Sequence, residues 1–357
     1  MATRFYSIPI KRLEKTTASC TLISFDVKEE WKTDFAFTQG QYLTLKAVIN
    51  GEEVRRSYSL CSSPLDGEWQ VAVKKIEDGK FSSFANDVLK EGDVLEVMPP
   101  NGRFFVPIEP PKSKNYMAFA AGSGITPIFS IIKTHLQLEP NSTFKLFYVN
   151  QSVSTIILKE EIEGLKNQFL DRFEVFHLLT KEERTIPLFN GRLNKEKLDI
   201  IFNKLVDLQG LDDFFICGPT EMIFMIRDYL MDNGTAAEKI HFELFNTGNL
   251  NNGASKKKRS VDTSILSEIH ILEGGKNIKF NIPRGSDNIL DAALRNSADL
   301  PFACKGGVCC TCRAKLVKGK VEMEVNYALE QSEIDAGYIL TCQAVPVSEK
   351  VIVDFEA

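Results

Sequence analysis

A chain of 357 residues exceeds what one hydrophobic core of ordinary size holds, and points to two or three domains. Its 43% hydrophobic and 25% charged residues are those of a soluble globular protein and argue against a disordered or fibrous one. A formal net charge of −5 gives no support for nucleic-acid binding, and no stretch reaches the ~20 apolar residues of a membrane span.

The N-terminal run MATRFYSIPIKRLEKTT lacks the apolar centre of a signal peptide, so the cytoplasm is the expected compartment, without membrane insertion. Residues 1–110 read as short strands broken by turns. The runs 41–48 (QYLTLKAV) and 69–74 (WQVAVK) approximate the two-residue alternation of half-buried strands, with Gly51, Pro64, Gly67, Gly79 and Gly92 as punctuation. Short, evenly spaced strands of this kind predict a small antiparallel barrel. Within it Arg56-Ser57-Tyr58-Ser59 closes a strand, and Gly79-Lys80-Phe81-Ser82-Ser83 opens a helix.

From 111 to 246 the texture changes. Apolar runs at 116–121, 144–149, 173–179, 214–217 and 240–245 alternate with helical patterns at 158–169 and 222–231, which predicts a parallel sheet flanked by helices. Gly122-Ser123-Gly124-Ile125-Thr126-Pro127 follows the first run. Its glycines let the backbone approach a cofactor pyrophosphate at a helix N-terminus, and Pro127 suits the first helical turn. The third small position is Pro127, so this is not the GxGxxG dinucleotide fingerprint. A tight strand-to-helix turn with no ligand is the plainer reading of this stretch in isolation. Cys217-Gly218-Pro219 ends the fourth run, with Met222 soon after, and His241-Phe242-Glu243-Leu244-Phe245 ends the fifth.

Residues 247–265, rich in Asn, Gly, Ser and Lys, read as a flexible linker, and the basic run 256–259 as part of its solvated surface. Residues 266–357 form a last domain with Cys304, Cys309, Cys312 and the distant Cys342. The C-x4-C-x2-C spacing plus one remote Cys is the plant-type pattern for a [2Fe–2S] cluster. A four-cysteine zinc site usually pairs two CxxC-like knuckles, whereas Cys342 stands alone, 30 positions after Cys312. Structural disulfides would need an oxidising compartment. Cys310 falls outside the ligand spacing and is expected to be a small buried or hydrogen-bonded thiol.

Taken in this order, RSYS, GKFSS, GSGITP, CGP and the cysteine loop resemble the ferredoxin–NADP reductase family, in the arrangement found in reductase components of multicomponent oxygenases. The resemblance covers essentially the whole chain. It implies an FAD-binding antiparallel β-barrel, a nicotinamide-binding α/β domain and an α+β β-grasp ferredoxin domain. It assigns Arg56, Ser57, Tyr58, Ser59, Gly79, Lys80, Phe81, Ser82 and Ser83 to FAD, and Gly122, Gly124, Thr126, Pro127, Gly218, Pro219, Met222 and Phe245 to the dinucleotides. Ser59, Cys217 and Glu243 would stand at the flavin–nicotinamide contact. Arg56 suits a pyrophosphate because its guanidinium is bidentate, and Tyr58 suits an isoalloxazine ring as an aromatic face.

The implied activity is electron transfer from NAD(P)H through FAD and the cluster to an oxygenase partner, by a monomeric protein. A ring hydroxylase, a desaturase or a haem monooxygenase is an alternative acceptor. A non-enzymatic iron–sulfur protein on a degenerate scaffold is a remoter alternative. NADPH is the expected donor, with NADH possible. Related reductases often place an Arg after the second βα strand, where this chain has Asn150-Gln151-Ser152, leaving Ser152, Ser154 and Lys181 to meet a 2′-phosphate.

Overall fold

The computed structural model describes residues 4–245 and 265–357. One compact unit spans Tyr6–Phe245, and a second holds the described C-terminal residues. The linker expected at 247–265 lies, apart from Ile265, outside the described residues.

Six strands build the first part of the larger unit: β1 (Tyr6–Thr17), β2 (Cys20–Phe25), β3 (Tyr42–Ile49), β4 (Glu52–Ser59), β5 (Trp69–Lys74) and β6 (Val94–Val97), with helix α1 (Lys80–Asp87) between β5 and β6. The order is β4-β3-β6-β1-β2-β5, antiparallel throughout. A bridge from Leu60 to Val71, and the Cys61 N–H donating to the Gln70 carbonyl at 2.8 Å, bring the outer strands together. The sheet therefore curls into the expected barrel and hides its edges. Ile8, Ile10, Ile23, Leu43, Leu45, Val71, Val73 and Val97 fill its interior.

The second part alternates β7 (Asn115–Ala121), α2 (Ile125–Leu138), β8 (Thr143–Asn150), α3 (Lys159–Gln168), β9 (Phe173–Leu179), α4 (Lys195–Lys204), β10 (Asp213–Gly218), α5 (Thr220–Asp232) and β11 (Ile240–Leu244). The sheet order is β11-β10-β7-β8-β9, with every neighbouring pair parallel. Helices cover both faces, so the strands are apolar along their length; Tyr116, Met117, Ala118, Phe119 and Ala120 are all fully buried. The chain runs outward from β7 to β9 and then returns to β10 on the other side. That reversal opens a crevice at the carboxyl ends of β7 and β10, where open α/β sheets bind ligands.

The barrel and the α/β part share one core. Cys20, Leu22, Cys61, Ala72 and Phe104 pack in the same buried cluster as Ile125, Phe129, Tyr148 and Phe215. A buried polar network braces the far side of α2. Glu139 accepts from the Tyr116 hydroxyl at 2.9 Å and the Glu109 N–H at 2.8 Å, and lies 3.2 Å from His135 Nδ1.

The smaller unit contains β12 (Leu266–Glu273), β13 (Lys276–Pro283), α6 (Ile289–Arg295), β14 (Arg313–Lys318), β15 (Val321–Met323), α7 (Gln331–Asp335), β16 (Tyr338–Leu340), β17 (Ala344–Pro346) and β18 (Lys350–Asp354). Its main sheet runs β13-β12-β18-β14-β16, with β12 and β18 parallel, and α6 packs Ile289, Leu290 and Ala293 into its core. A mixed sheet holding one helix in its curve is the expected α+β grasp. Among the described residues no helix is long and apolar enough to cross a membrane.

Candidate functional site

Three strand ends meet in the larger unit. The Ser59 hydroxyl, at the end of β4, donates to Glu243 Oε2 at 3.0 Å, and Glu243 on β11 sits in register beside Cys217 on β10. The three residues assigned to the hydride contact are thus brought together from two differently built sheets. Cys217 itself is fully buried, and burial, reinforced by the Glu243 charge, pushes its thiol well up. It packs the strand end as a neutral group. Burial pushes the Glu243 carboxyl up to about 7, against the opposing pull of the Ser59 hydrogen bond.

That shift has a sign for stability. A carboxyl with a folded value of about 7 and an ordinary value of 4.5 costs nothing below 4.5; its penalty accumulates as pH rises from there to about 7 and levels off above. The ligand-free protein should therefore lose on the order of 3 kcal/mol between those limits on this account. Glu243→Gln should flatten the slope in that window. Urea unfolding followed by Trp31 and Trp69, both in this unit, measures it; an unchanged slope in the variant would remove Glu243 as the source.

The turn after β7 lies at the crevice. Gly122 takes a positive φ of 53°, and the Tyr148 hydroxyl donates to its carbonyl at 2.9 Å. Gly124 is pressed against the neighbouring strand end: a Cβ there would sit 2.2 Å from the Cys217 carbonyl oxygen. Thr126 and Pro127 are buried in the first turn of α2, and the Thr126 hydroxyl donates to the Ser123 carbonyl at 3.0 Å. The half-buried Gly122 and Ser123 are what the turn presents to a ligand. Met222 packs against Gly218, with its Cε 2.8 Å from where a Cβ would stand. Pro219 and Phe245 are exposed.

Lys74 was not legible as a site residue. It ends β5 in the barrel, yet its ammonium lies 3.3 Å from the position of a Cβ on Gly122. Barrel closure creates that neighbourhood, and only its place at the end of an alternating strand could have pointed to it. Beyond the turn, a cavity of about 850 Å³ opens beside the carboxyl ends of β8 and β9, lined by Lys15, Thr16, Val153, Ser154, Lys159 and Glu182, among others. The Glu182 carboxylate accepts from the Val153 N–H at 2.8 Å, and Lys181 is exposed beside it.

On β4, Arg56 is exposed and Tyr58 half-buried, two positions apart and so on one face. The Tyr58 ring packs on Phe81 of α1 at 5.6 Å, while Phe81 is itself buried, a support for the tyrosine. Ser57 pairs with Thr44 across the sheet at 3.1 Å. Ser82 turns into its own loop, accepting from the Ile76 N–H at 3.2 Å and donating to the Gly79 carbonyl at 3.2 Å. Lys80 pairs with Glu52 at 2.5 Å. Arg56, Tyr58 and the half-buried Ser83 are open to a ligand, and offer a cation, an aromatic face and a hydroxyl.

In the smaller unit the thiols stand as two pairs. Cys309 Sγ lies 3.1 Å from Cys304 Sγ, and Cys312 is hydrogen-bonded to Cys342. Among the described residues no three His, Cys, Asp or Glu converge as a single ion would require. Two pairs fit a binuclear cluster, which takes two cysteine ligands at each iron besides its bridging sulfides. Within each pair one thiol is held down by its partner's hydrogen bond, Cys304 by Cys309 and Cys342 by Cys312, while the partner that donates is pushed up. Cys310 points away and donates to the Ala328 carbonyl at 3.3 Å.

Comparison with known proteins identifies the domains. Residues 7–106 match the family model of an oxidoreductase FAD-binding domain, 119–228 that of an oxidoreductase NAD-binding domain, and 271–347 that of a 2Fe-2S iron-sulfur cluster binding domain. The chain is 40% identical to one component of the 1,2-phenylacetyl-CoA epoxidase from Escherichia coli, over 99% of each chain. It is 31% identical to the ferredoxin reductase component of 3-ketosteroid-9-alpha-monooxygenase from Rhodococcus rhodochrous, over 98% of this chain and 96% of that one. Phthalate dioxygenase reductase shares the fold with a TM-score of 0.59 at 23% identity, covering 98% of both chains. A type IV self-sufficient cytochrome P450 monooxygenase matches with a TM-score of 0.69 at 19% identity; this chain spans 41% of its length.

Proposed function

The chain belongs to the family of oxygenase reductases that join FAD-binding, NAD-binding and 2Fe-2S domains, and from that premise we propose that it carries electrons from NADPH to the oxygenase component of a ring-1,2-phenylacetyl-CoA epoxidase, in the cytoplasm, as a monomer serving phenylacetate catabolism. The domain limits we assign are 1–110 for FAD, 111–246 for the nicotinamide, 247–265 for the linker and 266–357 for the cluster. The meeting of Ser59, Cys217 and Glu243 at one crevice carries the electron-transfer reading.

When bound, FAD takes an electron pair from a nicotinamide and the [2Fe–2S] cluster passes electrons on singly; the protein supplies position and electrostatics. Arg56 would hold the pyrophosphate of FAD, and Tyr58 would offer its ring as a stacking face to the flavin. The Ser59–Glu243 hydrogen bond ties the barrel to the edge of the parallel sheet, so the two binding surfaces keep one spacing. Burial holds the Glu243 carboxyl at about 7, so near neutral pH it is partly protonated and can itself supply a hydrogen beside Ser59 Oγ. Gly122 and Ser123 accept the nicotinamide dinucleotide at the start of α2, and Lys74 reaches over from the barrel to its phosphates. Cys304, Cys309, Cys312 and Cys342 are the cluster ligands.

Lys181 offers a cation to a 2′-phosphate, while Glu182 beside it offers a carboxylate to a ribose hydroxyl, so preference for NADPH over NADH should stay below about 100-fold, or 2.7 kcal/mol. The reading is tested by NADPH oxidation coupled to epoxidation with the purified oxygenase component; failure of every epoxidase preparation to accept electrons that cytochrome c does accept would overturn the partner. In the same assay Lys74→Met should raise the KM for NADPH about tenfold, as loss of a charge-assisted contact does, with kcat nearly unchanged.

A further inference from the structure

We infer that the Gln343 carboxamide is a positioning residue for the cluster, donating one N–H to the Cys342 sulfur and the other to the cysteine loop. The inference rests on the reading that the four cysteines hold a [2Fe–2S] cluster.

Gln343 directly follows the remote cysteine. Its Nε2 lies 3.0 Å from the Lys305 carbonyl and 3.6 Å from Cys342 Sγ. Both neighbours are acceptors, and a carboxamide nitrogen carries two hydrogens, so both contacts are met at once and only one orientation of the amide satisfies them. The backbone holds the residue there. The Glu324 N–H donates to the Gln343 carbonyl at 3.1 Å, and the Gln343 N–H donates to Leu340 at 2.9 Å.

The loop beneath is shaped to receive the side chain. Gly307 has φ +72°, and a Cβ on it would stand 3.1 Å from Gln343 Cγ and 3.0 Å from the Val325 carbonyl. From the other side the Tyr327 N–H donates to the Gly307 carbonyl at 3.0 Å. Gln343 therefore links the two pairs of thiols, since Lys305 adjoins Cys304 while Cys342 belongs to the other pair.

A hydrogen bond to a ligand sulfur draws electron density from it and stabilises the reduced, more negative cluster, which raises the potential. The side chain thus sets how readily the cluster accepts an electron, as well as holding the loop.

Gln343→Leu, made in the full-length protein with its cofactors, keeps the bulk and removes both donors. At the potential where the unsubstituted cluster is half reduced, the variant should show a reduced-to-oxidised ratio about tenfold lower, a 59 mV fall for a one-electron couple. An intact cluster with an unshifted potential overturns the inference. If the variant loses its cluster, the unsubstituted protein decides. With glutamine side chains labelled with ¹⁵N, pulsed EPR of the reduced cluster should show a ¹⁵N coupling, and its absence overturns the inference. Of the two glutamines after residue 265, Gln331 is engaged with Asp335 at 2.8 Å. An unsubstituted protein without [2Fe–2S] absorption would overturn the cluster reading too, and its spectrum alone distinguishes that failure.

Discussion

Cys312→Ala and Cys342→Ala should each abolish the [2Fe–2S] absorption and EPR signal while leaving FAD bound. Both side chains are almost fully buried, at 2% and 4% exposure, and they form one thiol pair. Losing either leaves one iron with a single cysteine ligand beside the bridging sulfides, and no other cysteine of the loop is aimed at the gap. NADPH-driven reduction of ferricyanide should persist, because it needs only the larger unit. Reduction of cytochrome c, a one-electron acceptor, should fall to background. Cys310→Ala is the control. Its thiol points at the Ala328 carbonyl, 3.3 Å away, so the variant should keep the cluster and lose about 0.5–1.5 kcal/mol of local stability. Iron content and EPR of the three variants decide the matter. Loss of the cluster in Cys310→Ala with retention in Cys312→Ala would refute the ligand set.

The contrast between these cysteines also shows which parts of the molecule are legible in sequence. Ligand spacing, glycine turns and strand periodicity are local, because a few neighbouring residues carry the physical constraint. The runs at 41–48 and 69–74 accordingly became β3 and β5 within a residue or so. β1 is harder to read: only Tyr6, Ile8 and Ile10 alternate into the core, and its second half is largely exposed on both faces.

What the sequence conceals is long-range. Ser59 and Glu243 are 184 positions apart, and only the family resemblance, not any residue near either, puts them at one contact. Lys74 meets Gly122 only after a barrel has closed and a second sheet has docked on it. The same docking merges the cores of the barrel and the α/β part, so contacts divide the chain in two where motifs suggest three. Ser82 shows a different limit. Its place in a glycine-serine turn looks like a ligand contact, but the hydroxyl is consumed within its own loop by Ile76 and Gly79.

Gly124→Ala should be among the most damaging single-methyl changes in the larger unit, and Gly164→Ala should be mildly stabilising. At Gly124 a Cβ would fall 2.2 Å from the Cys217 carbonyl oxygen, 2.5 Å from its carbon and 2.9 Å from the Gly218 nitrogen. All three are backbone atoms of β10, which is hydrogen-bonded to β7 and β11 on either side and cannot move alone. The methyl must therefore push α2 away from the sheet or open the crevice. Either response displaces the turn that receives the dinucleotide and disturbs Glu243, the register partner of Cys217. A cost of about 3 kcal/mol or more is expected, the upper range for overpacking, together with a large rise in the KM for NADPH. Gly164 lies exposed within α3 with no atom inside 4 Å of its would-be Cβ. Alanine there should add about 1 kcal/mol through helix propensity and leave turnover unchanged. Paired urea melts and NADPH titrations check both. An unimpaired Gly124→Ala would mean that the turn does not press on β10, and the crevice would then lie elsewhere.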